Sequence, residues 1–150
     1  MPKLLIILFS LSLSLAPGAV PAMGTGDERN SFYDDMERLI EAGKYEKAIE
    51  ALNEALTEDP EDAEVLNLIA YSHRLLKRYE IALNYYLKAL EIEPDHRGAN
   101  EYLGELYLHL GQLDKALERR DVLDDDCFFR CKELKALEEA IEEYRKQNPA

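Results

Sequence analysis

The chain has 150 residues, of which 31 are Asp or Glu and 18 are Lys or Arg, so its formal net charge is −13. This length suits a single domain. A nucleic-acid partner is not expected, because binding the phosphate backbone requires a concentrated basic face. An acidic surface favours solubility, repels anionic membranes and polymers, and attracts a basic partner.

The first 22 residues have the pattern of a secretory signal peptide. Lys3 precedes an apolar run from Leu4 to Leu15, and small residues lead to a cleavage position after Ala22. At about 12 residues, the apolar run is shorter than the ~20 that span a bilayer, so no stable membrane insertion is expected after cleavage. We therefore predict an exported protein, periplasmic or secreted. An uncleaved membrane anchor is the alternative.

Residues 23–30 are polar and contain two glycines, which predicts a flexible lead-in. Beyond them, apolar side chains recur at helical spacing, and no stretch alternates for long with the period of a strand. We expect one all-α domain over residues 31–146. The predicted helices are Ser31–Glu41, Tyr45–Thr57, Asp62–Lys77, Tyr79–Ile92, Arg97–Leu110, Leu113–Leu123 and 132–146.

The helices form an internal repeat of 34 residues, predicted over 29–62, 63–96 and 97–130. Recurring small residues let two helices approach closely, and recurring prolines end the second helix of a repeat. One helix pair cannot bury both its faces alone, so it must stack on copies of itself. The coinciding positions are Ala48 with Ala82 and Ala116, Ala55 with Ala89, Pro60 with Pro94, Tyr45 with Tyr79 and Leu113, and Gly43 with Lys77 and Gly111.

This pattern resembles the tetratricopeptide repeat family. The third repeat departs from it, because Arg120 and Leu123 replace an aromatic and a small residue and no proline closes the repeat. The resemblance implies about three helix–turn–helix repeats in a right-handed superhelix, and a non-enzymatic module for protein–protein interaction. In the second repeat the resemblance is carried by Leu66, Ile69, Ala70, Tyr79, Ala82, Tyr86, Ala89 and Pro94.

The resemblance also implies a concave groove lined by the first helix of each repeat. Tyrosine, asparagine and acidic side chains there would hold an extended peptide through amide hydrogen bonds and aromatic contact. The Lys and Asn set with which chaperone-binding relatives hold a C-terminal carboxylate is not reproduced, so chaperone C-termini are not expected as ligands. The predicted groove residues are Tyr33, Glu37, Asn67, Tyr71, Arg74, Glu101, Glu105 and His109.

The last predicted helix, residues 132–146, is amphipathic. A repeat array leaves its final helix with an exposed apolar face unless another element covers it. We predict that this helix caps the third repeat; a partner-binding tail and a dimer contact are the alternatives. Its apolar face consists of Leu134, Leu137, Ile141 and Tyr144.

Cys127 and Cys131 lie between the third repeat and the cap, and an even cysteine count in an exported chain favours a disulfide. Helical residues four apart have Cβ atoms about 5–6 Å apart, whereas a disulfide needs about 3.5–4.5 Å. The bond therefore requires Cys127 outside regular helix and Cys131 near the start of the last helix. Metal binding, redox chemistry and free thiols are the alternatives. This ending is similar to that of small exported bacterial tetratricopeptide proteins.

The sequence contains no phosphate-binding loop, metalloprotease motif or nucleophile elbow, so we expect neither an enzyme nor a cofactor. His73 lies on the inward stripe of its helix and is expected in the core, whereas His96 lies in a turn and is expected to be exposed. We predict an adaptor that binds another protein or an extended peptide segment, and the acidic surface suits a basic partner. The alternatives are a self-assembling homo-oligomeric scaffold and a thiol- or copper-binding protein that uses Cys127 and Cys131.

Overall fold

The computed structural model describes residues 26–129 and 131–149, and within these ranges it contains helices and no strand. The predicted signal peptide and residues 23–25 of the lead-in lie outside the described residues. None of the described helices is long and apolar enough to cross a bilayer. The helices are α1 (Gly26–Glu41), α2 (Tyr45–Glu58), α3 (Ala63–Leu75), α4 (Tyr79–Ile92), α5 (Arg97–His109), α6 (Leu113–Asp126) and α7 (Lys132–Gln147).

Consecutive helices pack in pairs, α1 with α2, α3 with α4, and α5 with α6. Successive pairs contact each other through α2 and α3 and through α4 and α5, and the first helices also touch along the array. The last helix, α7, packs on α5 and α6. This confirms the predicted all-α array of about three repeats with a final capping helix.

The helix ends agree with the sequence-based boundaries to within two residues, except at the start of α1 and the end of α6. The prediction for α4, Tyr79–Ile92, is confirmed. By contrast, α1 begins at Gly26 rather than Ser31, so residues 26–30 of the predicted lead-in belong to a helix. Asp27 and Glu28 lie in the first turn of α1, where negative charge offsets the positive end of the helix dipole.

The core is built around small residues at equivalent positions of the second helices. Ala48, Ala82 and Ala116 have no exposed surface. Interiors are close-packed, so a larger side chain at these positions would separate the helices. His73 is also buried, and its ring stacks on Tyr85 with centroids 6.0 Å apart, which confirms it as a core histidine.

The capping helix makes close contact with the third repeat. Leu134, Leu137 and Ile141 are all buried, as the prediction of a cap requires. A Cβ atom added at Gly104 of α5 would lie 2.6 Å from Cδ2 of Leu137, which is too close for both groups to remain in place. Gly104 therefore allows α7 to approach α5, and α7 covers the apolar face that the third repeat would otherwise expose.

The turns between repeats start alike at three positions that are 34 residues apart. Asp59, Glu93 and Cys127 each follow a second helix, have extended backbone and donate the backbone N–H to a carbonyl four residues earlier. A proline follows the first two of them, whereas Phe128 follows the third. The helix α6 thus ends in register without a proline, three residues later than the predicted Leu123.

A disulfide joins Cys127 and Cys131, whose Cα atoms are 5.6 Å apart. Cys127 is the first residue after α6, and Cys131 is the residue that precedes α7. The prediction that Cys127 lies outside regular helix is therefore confirmed, along with the pairing itself. The bond closes the turn that leads into the capping helix.

The turns within the repeats share a left-handed residue. Gly43, Lys77 and Gly111 have φ angles of 70°, 59° and 72°. Around Lys77 the hydrogen bonds form a Schellman motif, since its N–H donates to Arg74 and the N–H of Arg78 donates to His73. Glycine adopts this conformation without steric cost, but lysine does not.

We predict that Lys77→Gly raises the free energy of unfolding by about 0.5–1 kcal/mol. The substitution removes a left-handed strain of about 1–2 kcal/mol and adds about 0.4–1 kcal/mol of backbone freedom to the unfolded chain. Urea denaturation measures the difference. Lys77→Ala is the control, because it removes the charge and keeps the Cβ atom that causes the strain. A loss of stability in Lys77→Gly would contradict the positive φ at this turn.

Candidate functional site

Two adjoining cavities lie along the first helices. The first, of about 490 Å³, is bordered by α1 and by the turns that precede α3 and α5. The second, of about 460 Å³, is bordered by α3, α5 and the start of α7. Glu37, Glu64, Glu93 and His96 line both of them. The two cavities therefore form one continuous surface, which we call the groove.

Carboxylates dominate the groove. Its basic side chains are fewer, namely Arg29, Arg97 and Lys132, together with His96. A surface with this balance has a negative potential that favours cationic ligands. The acidic residues are Glu37, Asp59, Glu61, Asp62, Glu64, Glu93, Glu101 and Glu133.

An aromatic pair stands beside the second cavity. The rings of Tyr71 on α3 and Tyr102 on α5 are stacked, with centroids 4.4 Å apart. The guanidinium of Arg74 lies 5.2 Å from the Tyr71 centroid and 5.4 Å from the Tyr102 centroid, and it forms a 2.7 Å ion pair with Glu105. Burial raises the pKa of both tyrosines, so they remain neutral. The cluster joins two successive first helices, and its Tyr102 ring lines the second cavity.

A polar network crosses from α3 to α5. Asn67 Nδ2 donates to Glu64 at 3.3 Å, and the other carboxylate oxygen of Glu64 lies 3.0 Å from His96 Nε2. The second ring nitrogen of His96 accepts the N–H of Ala99 at 3.2 Å and so caps α5. The prediction that His96 is exposed is wrong: Glu64, on α3 at the other end of the same repeat, partly covers its side chain, which is 9% exposed.

Asp62 occupies the position in the preceding repeat that corresponds to His96, and its carboxylate has two partners. One carboxylate oxygen accepts the N–H of Val65 at 2.9 Å, which caps α3, and the other accepts the Tyr33 hydroxyl at 2.7 Å. Burial, followed by the hydrogen bond and the charge of Asp62, raises the pKa of Tyr33. The hydroxyl therefore stays protonated, and it connects α1 to the start of α3.

Glu101 on α5 is the most perturbed acid of the groove. Burial, and then the charges of Glu105 and Glu133, raise its pKa from 4.5 to about 7. Lys132 and Arg74 lower the pKa but do not offset these effects. Negative charge in the second cavity is therefore incompletely compensated.

The structure places the predicted groove residues in three settings. Tyr33, Glu37, Asn67 and Glu101 line the cavities. Tyr71, Arg74 and Glu105 form the cluster with Tyr102. His109 lines neither cavity; its Nε2 lies 2.8 Å from the hydroxyl of Tyr79 on α4. Its position near the end of α5 brings it to the neighbouring pair instead.

Sequence reasoning missed several residues that border the groove. Glu93 and His96 lie in a turn that was treated only as a connection, and Lys132 and Glu133 belong to a helix that was treated only as a cap. Tyr102 is adjacent to a predicted site residue, and its aromatic character was the one available signal. In the described part of the chain, no group of three or more His, Cys, Asp or Glu residues is arranged to hold a metal ion.

Helix pairs stacked in register, with a groove along their first helices, define a helical repeat protein, a class whose extended concave surfaces bind other molecules. Two family models, both described as tetratricopeptide repeat, match residues 37–94 and 85–118, which together cover more than half of the chain. The chain belongs to the tetratricopeptide repeat family, and it is a non-enzymatic repeat protein.

Among proteins of known function, the Photosystem I assembly protein Ycf3 of Synechococcus elongatus is 31% identical to this chain over 107 residues. The match covers 69% of this chain and 62% of that protein. The chain therefore spans less than two thirds of the length of this relative.

Solved structures share the fold at low sequence identity. The Yersinia enterocolitica type III secretion chaperone SycD, in complex with a peptide of the translocator YopD, has a TM-score of 0.67 and 17% identity, covering 82% of this chain and 96% of that one. PcrH, in complex with the chaperone binding region of PopD, has a TM-score of 0.67 and 18% identity, covering 85% of this chain and 98% of that one. Both similarities concern the fold.

We predict that Glu101→Gln stabilises the protein at pH 8 and has little effect at pH 4.5. The gain at pH 8 is expected to be about 1 kcal/mol, because partial exposure of Glu101 screens its charge. The pKa of about 7 in the folded state lies above the ordinary value of 4.5. Stability from this group is thus present below the unfolded pKa and is lost as the pH rises through the folded pKa. Gln keeps the neutral form at every pH.

Urea denaturation at the two pH values provides the measurement. Glu91→Gln is the matched control, because it removes the same charge from an exposed position on α4 that lines neither cavity. It should give similar changes at both pH values. If Glu101→Gln behaved like this control, burial of an uncompensated charge at Glu101 would be refuted.

Proposed function

We propose that this protein is an adaptor that binds an extended segment of another protein in its groove. The observation that carries the proposal is the continuous groove, which draws polar side chains from successive first helices and has an aromatic cluster beside it. The fold similarity to SycD and PcrH, whose structures contain segments of translocator proteins, gives further support.

The groove has suitable groups for an extended backbone. Asn67 offers an amide oxygen and Tyr33 a hydroxyl oxygen as acceptors, while Tyr102 offers an aromatic surface for an apolar side chain. An extended peptide leaves its own N–H and C=O groups free for such partners. Three repeats give a short groove, so we expect modest affinity for one segment.

A self-assembling scaffold is the second candidate, and one observation favours it. Phe128 and Phe129, in the turn between α6 and α7, are 89% and 86% exposed and contact each other edge to face. Exposed aromatic pairs often mark contact surfaces. A thiol or copper protein has less support, because the two sulfur atoms of Cys127 and Cys131 are bonded to each other.

We also propose that the protein is exported, to the periplasm or the medium. The signal-peptide pattern of residues 1–22 supports this, and so does a disulfide, since such bonds persist in oxidising compartments.

Site-directed photo-crosslinking in the native organism tests the adaptor function. A photo-reactive residue at Glu37, in the groove, should capture another protein, whereas the same residue at Glu91, on α4, should not. Both positions are exposed. Equal capture at both positions would contradict binding in the groove. Crosslinks between copies of this chain would favour the scaffold.

Mass spectrometry of the native protein tests export. We expect a periplasmic or extracellular protein that begins at Met23 and takes up no alkylating agent at Cys127 and Cys131 until it is reduced. An intact N-terminus with two free thiols would contradict export.

A further inference from the structure

The second cavity contains carboxylates without a basic partner. Glu37 on α1, Glu93 before α5 and Glu101 on α5 line it, and no ion pair within residues 26–129 and 131–149 involves any of them. Burial and the neighbouring charges of Glu105 and Glu133 raise the pKa of Glu101 to about 7, which reflects the same excess of negative charge. The positive charge that the chain supplies to this cavity is thus not paired with these three carboxylates.

The basic side chains that line this cavity are paired with other acids. Arg97 Nε is 2.6 Å from Asp126, which does not line the cavity. Lys132 Nζ is 3.7 Å from Glu133, and His96 Nε2 is 3.0 Å from Glu64. None of these contacts neutralises Glu37, Glu93 or Glu101.

Asn67 provides an independent sign of a missing ligand. The residue is 2% exposed and lines the cavity, and its Oδ1 has no hydrogen-bond partner among the described residues. The amide orientation is set by its Nδ2, which donates to Glu64 at 3.3 Å; a flipped amide would direct an oxygen at that carboxylate. A buried acceptor without a donor is destabilising, and an N–H of a ligand would satisfy it.

We propose that the second cavity receives a lysine or arginine side chain of the bound segment. The proposal rests on the proposed function, because it specifies a side chain of the segment that the groove binds. The cationic head group donates to the carboxylates of Glu93 and Glu101 and to Oδ1 of Asn67. Its aliphatic stem lies against Leu68 and the ring of Tyr102, which line the same cavity.

Other side chains fit this cavity less well. An acidic side chain would add to the negative charge, and an apolar one would bury carboxylates without giving them a partner. The net charge of −13 also attracts a basic segment from a distance. The unpaired negative charge, the unpartnered Oδ1 of Asn67 and the apolar surface of Leu68 and Tyr102 together favour a long basic side chain.

The test begins with peptides selected on the full chain from a random nonapeptide display library. One selected peptide is labelled with a fluorophore, and its Kd is measured by fluorescence polarisation at pH 8, where Glu101 is ionised. Each Lys or Arg is then replaced in turn by norleucine, which keeps the length of the stem and removes the charge. We expect one replacement to weaken binding about fivefold or more.

A double-mutant cycle assigns that loss to the second cavity. In Glu101→Gln, the same norleucine replacement should have a smaller effect, because the charge that it faces is gone. In Glu91→Gln, which makes the same change on α4, it should keep its full effect. Glu101→Gln is expected to fold, since its neutral amide replaces a carboxylate whose ionised form is disfavoured by burial.

The outcomes separate this proposal from the proposed function. Selected peptides that contain Lys or Arg, with coupling to Glu101 and none to Glu91, support the proposal. Peptides that bind without a basic residue, or without coupling to Glu101, overturn it and leave the adaptor function standing. If no peptide binds and Glu37 captures no other protein, both are overturned.

Discussion

The array depends on close contact between helices at positions occupied by alanine or glycine. Ala82 is fully buried in the core, and Gly104 gives α7 the space that any Cβ atom would take. Contacts this close fix the stacking of one repeat on the next, because a packed interior cannot absorb an extra methyl group without displacement. Stacking in register then brings the first helices side by side, and the groove is the surface that they share. The groove is thus a consequence of how closely the helices of the array pack.

Much of this fold could be predicted from the sequence, since its signals are local. The break before Tyr79 and the proline after Glu93 lie within a few residues of the ends of α4. The spacing of the two cysteines was likewise enough to require that Cys127, once bonded to Cys131, lies outside regular helix, because only helix geometry was needed. The burial of His96 could not be predicted in this way. It depends on Glu64, which lies at the other end of the same repeat, and a turn residue carries no sign of such a distant partner.

The groove was predicted less completely for a related reason. Helical spacing indicates which side chains share a face, but it does not show which of them reach a neighbouring helix. His109 illustrates this, because it contacts Tyr79 instead of the groove. The electrostatic environment of a groove residue is set by several helices together. Besides burial, the raised pKa of Glu101 depends on Glu105 of its own helix and on Glu133 of the cap. The acidic groove also differs in sign from the cationic clamp that the family resemblance associates with chaperone-binding relatives.

The turns on either side of the second repeat end in the same kind of capping hydrogen bond. The turn before it ends at Asp62 and the turn after it ends at His96, and each side chain accepts a backbone N–H three residues further along the chain. A tandem duplication of residues 63–96 would therefore join compatible ends, and neither α1 nor the disulfide-linked cap would have to change. The number of repeats can thus vary in evolution independently of the two terminal elements. Each added copy would lengthen the groove by one first helix.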